Sequence, residues 1–224
     1  MGQTDSKFEV VICDNLSRDG AQDILRNYRN SGKIKLVEKK SNRGQGRQFA
    51  FESSTGTYII ANMDTDDTYL DGSIEIVLRF YHKHCEGKML TVQSNTPWVQ
   101  NVTIAPRALL IKLGGWRDLS DSEDWDLWAR AAKIGMYRWT IFDMVGQFNR
   151  HTERKSLLGK LKMKLIRYRD WMRLKRKLDL TWKGGIVKFL AALTLPFYPS
   201  YRDSFNESFD YTSKEYFVKF EPVL

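Results

Sequence analysis

Three carboxylates fall within four consecutive positions at Asp64, Asp66 and Asp67, directly after the apolar run Tyr58-Ile59-Ile60-Ala61. Like charges this close repel unless a cation compensates them, and the D-x-D spacing suits an oxygen-ligated Mg2+ or Mn2+ that also holds phosphate oxygens. An acidic cluster after a strand is also an ordinary solvated turn, so the neighbouring sequence has to decide. A second acidic group, Asp121-Ser122-Glu123-Asp124-Trp125-Asp126, follows Gly114-Gly115-Trp116-Arg117. Helix capping and the helix dipole alone account for Asp121 or Ser122, but not for the tryptophans beside them. An indole next to a carboxylate makes a platform for the apolar face of a sugar ring, and the carboxylate can take a proton from a hydroxyl nucleophile. Asp14 ends an earlier apolar run, where it either closes a turn or accepts hydrogen bonds from a base or ribose. Asn42-Arg43-Gly44-Gln45-Gly46-Arg47 is a glycine-rich stretch entering a helix, a geometry that can present N–H groups and an arginine to phosphate.

The elements that must position these residues follow from apolar periodicity. Strands are expected at 8–13, 34–37, 58–62, 88–93, 100–105 and 137–143, and helices at 21–29, 47–54, 73–84, 106–113 and 124–134, with 41–46 as a loop. This alternation argues for an α/β layered domain with a largely parallel sheet flanked by helices. In such sheets ligands bind beyond the carboxyl ends of strands, where both Asp14 and Asp64 are expected.

Beyond Thr152 the character of the chain changes, which divides it into a domain over 1–152 and a tail over 153–224. The net charge of +9 belongs to the tail: residues 154–177 hold eleven Lys or Arg and one acid, Asp170. Leu158, Leu161, Leu165, Tyr168 and Met172 recur at helical spacing among Lys160, Lys164, Arg167, Arg169 and Arg173, a basic amphipathic helix. That helix either packs on the domain with a solvated face or lies on an anionic membrane surface, with Trp171, Trp182 and the run 186–198 as interfacial anchors. The basic charge is also a footprint for nucleic acid, but no recognition motif accompanies it and no nucleic-acid partner is expected. Cys13 and Cys85 form no disulfide framework, and no run is long and apolar enough to span a bilayer. A cytoplasmic, peripherally membrane-associated protein is the expectation.

These residues add up to a resemblance. FEVVICDNLSRDG resembles the second-strand signature of the family 2 glycosyltransferases, usually FEVVIVDDGSTDG. NRGQGRQFAFESSTGTYIIANMDTDD is similar to that family's glycine-rich loop, helix, strand and D-x-D, and GGWRDLSDSEDWDLWARAAKIG to its acceptor-side segment. The resemblance covers roughly residues 1–150 in the family's order. It implies a GT-A fold and inverting transfer of a sugar from a UDP- or GDP-sugar to an acceptor hydroxyl, assisted by Mg2+ or Mn2+, in lipid-linked or surface glycan synthesis. By the same resemblance Asp14, Asn15, Arg47 and Asp64 bind the donor, and Asp66, Asp64 and His151 hold the metal. Asp124 is the general base, with Glu123, Trp125, Gly115 and Trp116 on the acceptor side. The family's usual first strand, of the type VSVVIPTYN, has no counterpart, and Gly2 to Val10 resembles the end of the helix that follows it. The chain therefore reads as starting inside that helix, without a strand that helps bind the nucleotide. The alternative is an inactive binding or assembly module on the same fold.

Overall fold

The computed structural model describes residues 7–63, 67–93, 101–142, 145–148 and 156–175. β1 (Val11–Asp14) and β2 (Lys35–Glu38) are joined by α1 (Ala21–Asn30) and pair in parallel, with Ile12 opposite Leu36. Next come α2 (Arg43–Ser53), β3 (Tyr58–Ala61), β4 (Asp67–Tyr69) and α3 (Ser73–His84). β5 (Met89–Gln93), β6 (Asn101–Pro106), α4 (Arg107–Leu113), α5 (Glu123–Lys133), β7 (Tyr137–Ile141), β8 (Val145–Phe148) and α6 (Leu157–Lys175) complete the described chain.

The main sheet runs β3-β6-β5-β7, with β6 antiparallel to β3 and β5, and β7 parallel to β5. The fold is therefore α/β with a mixed sheet flanked by helices. β1–β2 and the antiparallel pair β4–β8 form separate two-stranded sheets among the described residues. Neither β4 nor β8 is foreseen from the sequence, because Asp67-Thr68-Tyr69 and Val145-Gly146-Gln147-Phe148 lack the apolar run that marks β1 and β3.

Strand alternation sends neighbouring residues of the main sheet into two cores. On one face Met89 and Ala105 pack with Phe51 of α2, Leu109 and Leu110 of α4, and Leu127, Trp128 and Ala131 of α5. On the other, Leu90, Val92, Val102 and Ile104 pack with Val77 and Tyr81 of α3. The Trp128 indole donates to Thr103 Oγ1 at 2.9 Å, which satisfies both buried polar groups and fixes α5 on the sheet. β1 and α1 differ: no α1 residue is buried, and Val11, Ile12 and Cys13 are only half-buried.

α2 begins at Arg43, not at Arg47, which corrects the expected loop over 41–46. The Asn42 side chain accepts from Gln45 N while the Gln45 side chain accepts from Asn42 N, a reciprocal capping box. Such caps are worth about 1 kcal/mol and carry the helix through both glycines.

Candidate active site

Glu123 and Asp124 form the first turn of α5, and the conformation before them is strained. Ser122 has φ 62° with no side-chain capping hydrogen bond, in a region that costs a non-glycine residue about 1–2 kcal/mol. The surrounding contacts impose it. Gly44 N donates to Leu119 O at 2.8 Å, the Asn42 amide donates to Asp118, and Leu119 is fully buried. A Cβ on Gly44 would collide with Arg117 O and press on Leu119 O, so only glycine lets α2 approach this loop. From the other side Ser120 N donates to Asp170 Oδ2 of α6 at 2.7 Å, and Asp170 is held in turn by Arg169 Nε at 2.8 Å.

Behind the acid pair, the fully buried Asp126 accepts from Arg130 Nε at 3.0 Å and from Arg117 Nη1 at 3.2 Å. Arg130 also donates to Leu113 O and, at 2.7 Å, to Gly115 O. Gly115 has φ 66°, and the Gln48 side chain occupies the place of its missing Cβ while accepting from Trp116 N at 2.8 Å. Gly115 thus shapes the loop through its backbone.

Arg47 faces both acids. Its Nη1 donates to Glu123 Oε1 at 2.5 Å and also to Asp124 Oδ1, while Arg43 Nε stands 3.6 Å from Glu123 Oε1. Glu123 is 1% exposed and Asp124 20%. Burial pushes the Glu123 carboxyl up to about 7, and the charge on Asp124 adds to this, while Arg47 and Arg43 oppose it. Glu123 therefore titrates near neutrality beside a carboxylate that reaches solvent, an arrangement suited to proton exchange with a hydroxyl.

At the end of β1, burial raises the Asp14 carboxyl, but hydrogen bonds from the Ser17 hydroxyl, Ser17 N and the Gln22 amide outweigh it and hold the group below the usual carboxylate range. Asn15 Oδ1 accepts from Ser41 N at 2.8 Å. α2 connects the two sides: Gly46 lies against Cys13 and Ser41, and the next residue, Arg47, reaches the acid pair. The amides expected to cradle phosphate are already paired, Gly44 N with Leu119 O, Gln45 N with the Asn42 side chain and Gly46 N with Asn42 O.

The two tryptophans part company. Trp116 is 4% exposed and packs edge-on against Phe51 in the core, so the expected sugar platform at Trp116 does not present a free face. Trp125 is 46% exposed and tilts against Trp128 at 5.5 Å between ring centroids. Asp64, Asp66 and His151 lie outside the described residues. Asn62, two positions before Asp64, turns the chain with φ 67°, and its buried Oδ1 finds no hydrogen-bond partner among the described residues. A buried amide oxygen without a partner among the described residues, in the same stretch of sequence as Asp64 and Asp66, is the kind of hard donor that an oxygen-ligated divalent cation takes.

In the basic helix, Leu157, Leu158, Leu161 and Met163 are exposed, whereas Arg169 and Asp170 are buried against the loop that carries Ser120. Its packed end thus meets the site and its outer end does not. Among the described residues no helix is long and apolar enough to cross a membrane. Sequence reasoning missed Arg43, Gln48, Asp118, Ser120 and Asp170 as supports. The four-residue spacings Arg43/Arg47 and Asp126/Arg130 were the available signals.

The chain has a counterpart in a known family: the Glycosyl transferase family 2 model matches residues 1–142. The chain belongs to glycosyltransferase family 2. Its α/β layers are the GT-A class expected for the family. Among curated relatives of this family 2 chain, it is 31% identical over 88 residues to EpsE of Bacillus subtilis (strain 168), assigned as a glycosyltransferase. It is 30% identical over 105 residues to TuaG of the same organism, assigned as a teichuronic acid biosynthesis glycosyltransferase. These alignments cover 38% and 43% of this chain and only 31% and 41% of the relatives. Two solved structures align more widely. The mannosyltransferase PcManGT of Pyrobaculum calidifontis, in complex with GDP-Man and Mn2+, is 17% identical with a TM-score of 0.47, over 88% of this chain and 64% of that one. S. aureus TarS, in complex with UDP, is 16% identical with a TM-score of 0.48, over 89% and 67%.

Proposed function

We propose that this family 2 chain transfers a sugar from a nucleotide-diphosphate sugar to an acceptor hydroxyl with inversion at the anomeric carbon. The observation that carries the reading is the Glu123–Asp124 pair, held at the start of α5 and bridged by Arg47 from the helix that also abuts the end of β1. Asp124, reaching solvent beside the exposed Trp125, takes the proton of the acceptor hydroxyl as that oxygen attacks in line. Glu123 orients the acceptor, and the Trp125 indole supports its ring. Asp14 and Asn15 hold the donor base at the end of β1. Asp64 contacts the ribose and, with Asp66 and His151, would hold Mg2+ or Mn2+. A metal bound there supplies positive charge against the departing diphosphate. No covalent sugar–protein intermediate is needed.

A surface or lipid-linked glycan acceptor agrees with the teichuronic acid biosynthesis in the name of TuaG and with α6. Exposed leucines at 157, 158 and 161 beside Lys160, Lys162 and Lys164 suit shallow contact with anionic headgroups, in the membrane-associating stretch expected over 154–200. Purified protein with UDP- and GDP-sugars is expected to release nucleoside diphosphate only when Mn2+ or Mg2+ is present, and release from no donor contradicts the transferase reading. That result would favour a second reading, an inactive assembly module. The observation behind it is the lack of hydrogen-bonded pairing between β1–β2 and the main sheet among the described residues.

A further inference from the structure

We propose that Arg47 is the positioning residue of the acceptor-side acid pair, a single guanidinium nitrogen that gathers Glu123 Oε1 and Asp124 Oδ1 and fixes their spacing and shared charge. The proposal rests on the reading of Asp124 as base and gives Arg47 a role on the acceptor side of the reaction. Consecutive residues of a helix do not face one another, so Glu123 and Asp124 do not converge unaided. A shared donor from α2 brings their oxygens together. It also makes two adjacent carboxylates tolerable beside the core, where one of them is fully buried.

The charged groups facing Glu123 are Asp124 on its own helix and Arg43 and Arg47 on α2. Arg43 stands farther off and is mostly exposed, so solvent screens it and Arg47 dominates the compensation. The placement of Arg47 is itself determined. Gly44 brings the first turn of α2 against the Arg117–Leu119 backbone, and Gln48, one residue on, locks onto Trp116 N. Loss of the guanidinium therefore removes the cation and leaves its scaffold in place. The pair then takes up a proton at higher pH, and its doubly ionised form, the one in which Asp124 accepts the acceptor's proton beside an ionised Glu123, is confined to a narrower range.

The same residue read as a donor-phosphate ligand makes the opposite forecast, which allows a test. In steady-state transfer by the full chain, R47Q is expected to lower kcat by about 100-fold. It is also expected to move the acidic limb of the kcat–pH profile upward by about one pH unit or more, with donor KM little changed. R47K, which keeps the positive charge, is expected to return the limb toward the wild-type position, and R43Q to leave it in place. A raised donor KM with an unmoved limb overturns the proposal. Carbon-13 carboxyl NMR gives a readout without turnover: the Glu123 titration is expected to shift upward in R47Q, and an unchanged titration contradicts the role. If the wild-type protein transfers no sugar, the transferase reading fails while the NMR titration still decides the role of Arg47.

Discussion

On one side of the molecule α5 and the strands β5 to β7 enclose their charges. Asp126 is wholly buried between two arginines, Glu123 is sealed under Arg47, and Leu127 and Trp128 fill the face between them. On the other side, the buried Asp14 apart, β1, β2, α1 and their flanks carry their charges in water: Arg26 and Arg29 pair with Glu38 across half-exposed surface, and Glu9 bonds Lys35 and the Thr55 and Gly56 amides. The balance of burial against hydrogen bonding decides what each carboxylate does. Glu123, with desolvation its largest influence, is pushed up to about 7, whereas Glu9, with the Lys35 hydrogen bond largest, is lowered to about 2. In the proposed function the enclosed side serves proton transfer and the open side donor binding.

The comparison breaks most readily at Asp126. Asp126→Ala leaves Arg117 and Arg130 without their buried partner and is expected to cost about 3–5 kcal/mol in denaturant unfolding. Gly44→Ala forces a methyl into the Arg117 carbonyl and is expected to cost up to about 3 kcal/mol, with activity falling as the acid-pair loop moves.

The pH dependence of stability sharpens the contrast. Between its ordinary value of 4.5 and about 7, Glu123 holds a proton in the folded state that the unfolded chain has released, so raising the pH across that window lowers stability. Glu123→Gln is expected to abolish this fall. Glu9 works the other way: its contribution is present above 4.5 and is lost as the pH falls toward about 2, so Glu9→Gln flattens the acid end instead. Smallest of all, Ile24→Ser on the exposed face of α1 is expected to change unfolding free energy by no more than about 0.5 kcal/mol, because Ile24 is already in water.

Legibility from sequence divides along the same line. The helix over 73–84 and the strands at 58–61 and 89–93 agree with their apolar periodicity, because burial selected those residues. The acid pair was found through motif order. Its supports were not, because Ser120 and Asp170 stand fifty residues apart in sequence and meet only in three dimensions. The first turn of α2 read as a loop because Gly44 and Gly46 masked the capping box between Asn42 and Gln45. Trp116 and Trp125 look alike in sequence, and only packing separates a core ring from an exposed one. The divided sheets also escaped the strand pattern, which carries no information on which edges pair.

The central claim is that the acid pair at the start of α5 performs sugar transfer, and Asp124→Asn tests it most directly. With purified protein, nucleotide-sugar donor, divalent metal and acceptor, the variant is expected to keep donor binding and unfolding free energy while kcat falls by about 100- to 10,000-fold. A variant that transfers at the wild-type rate contradicts the account.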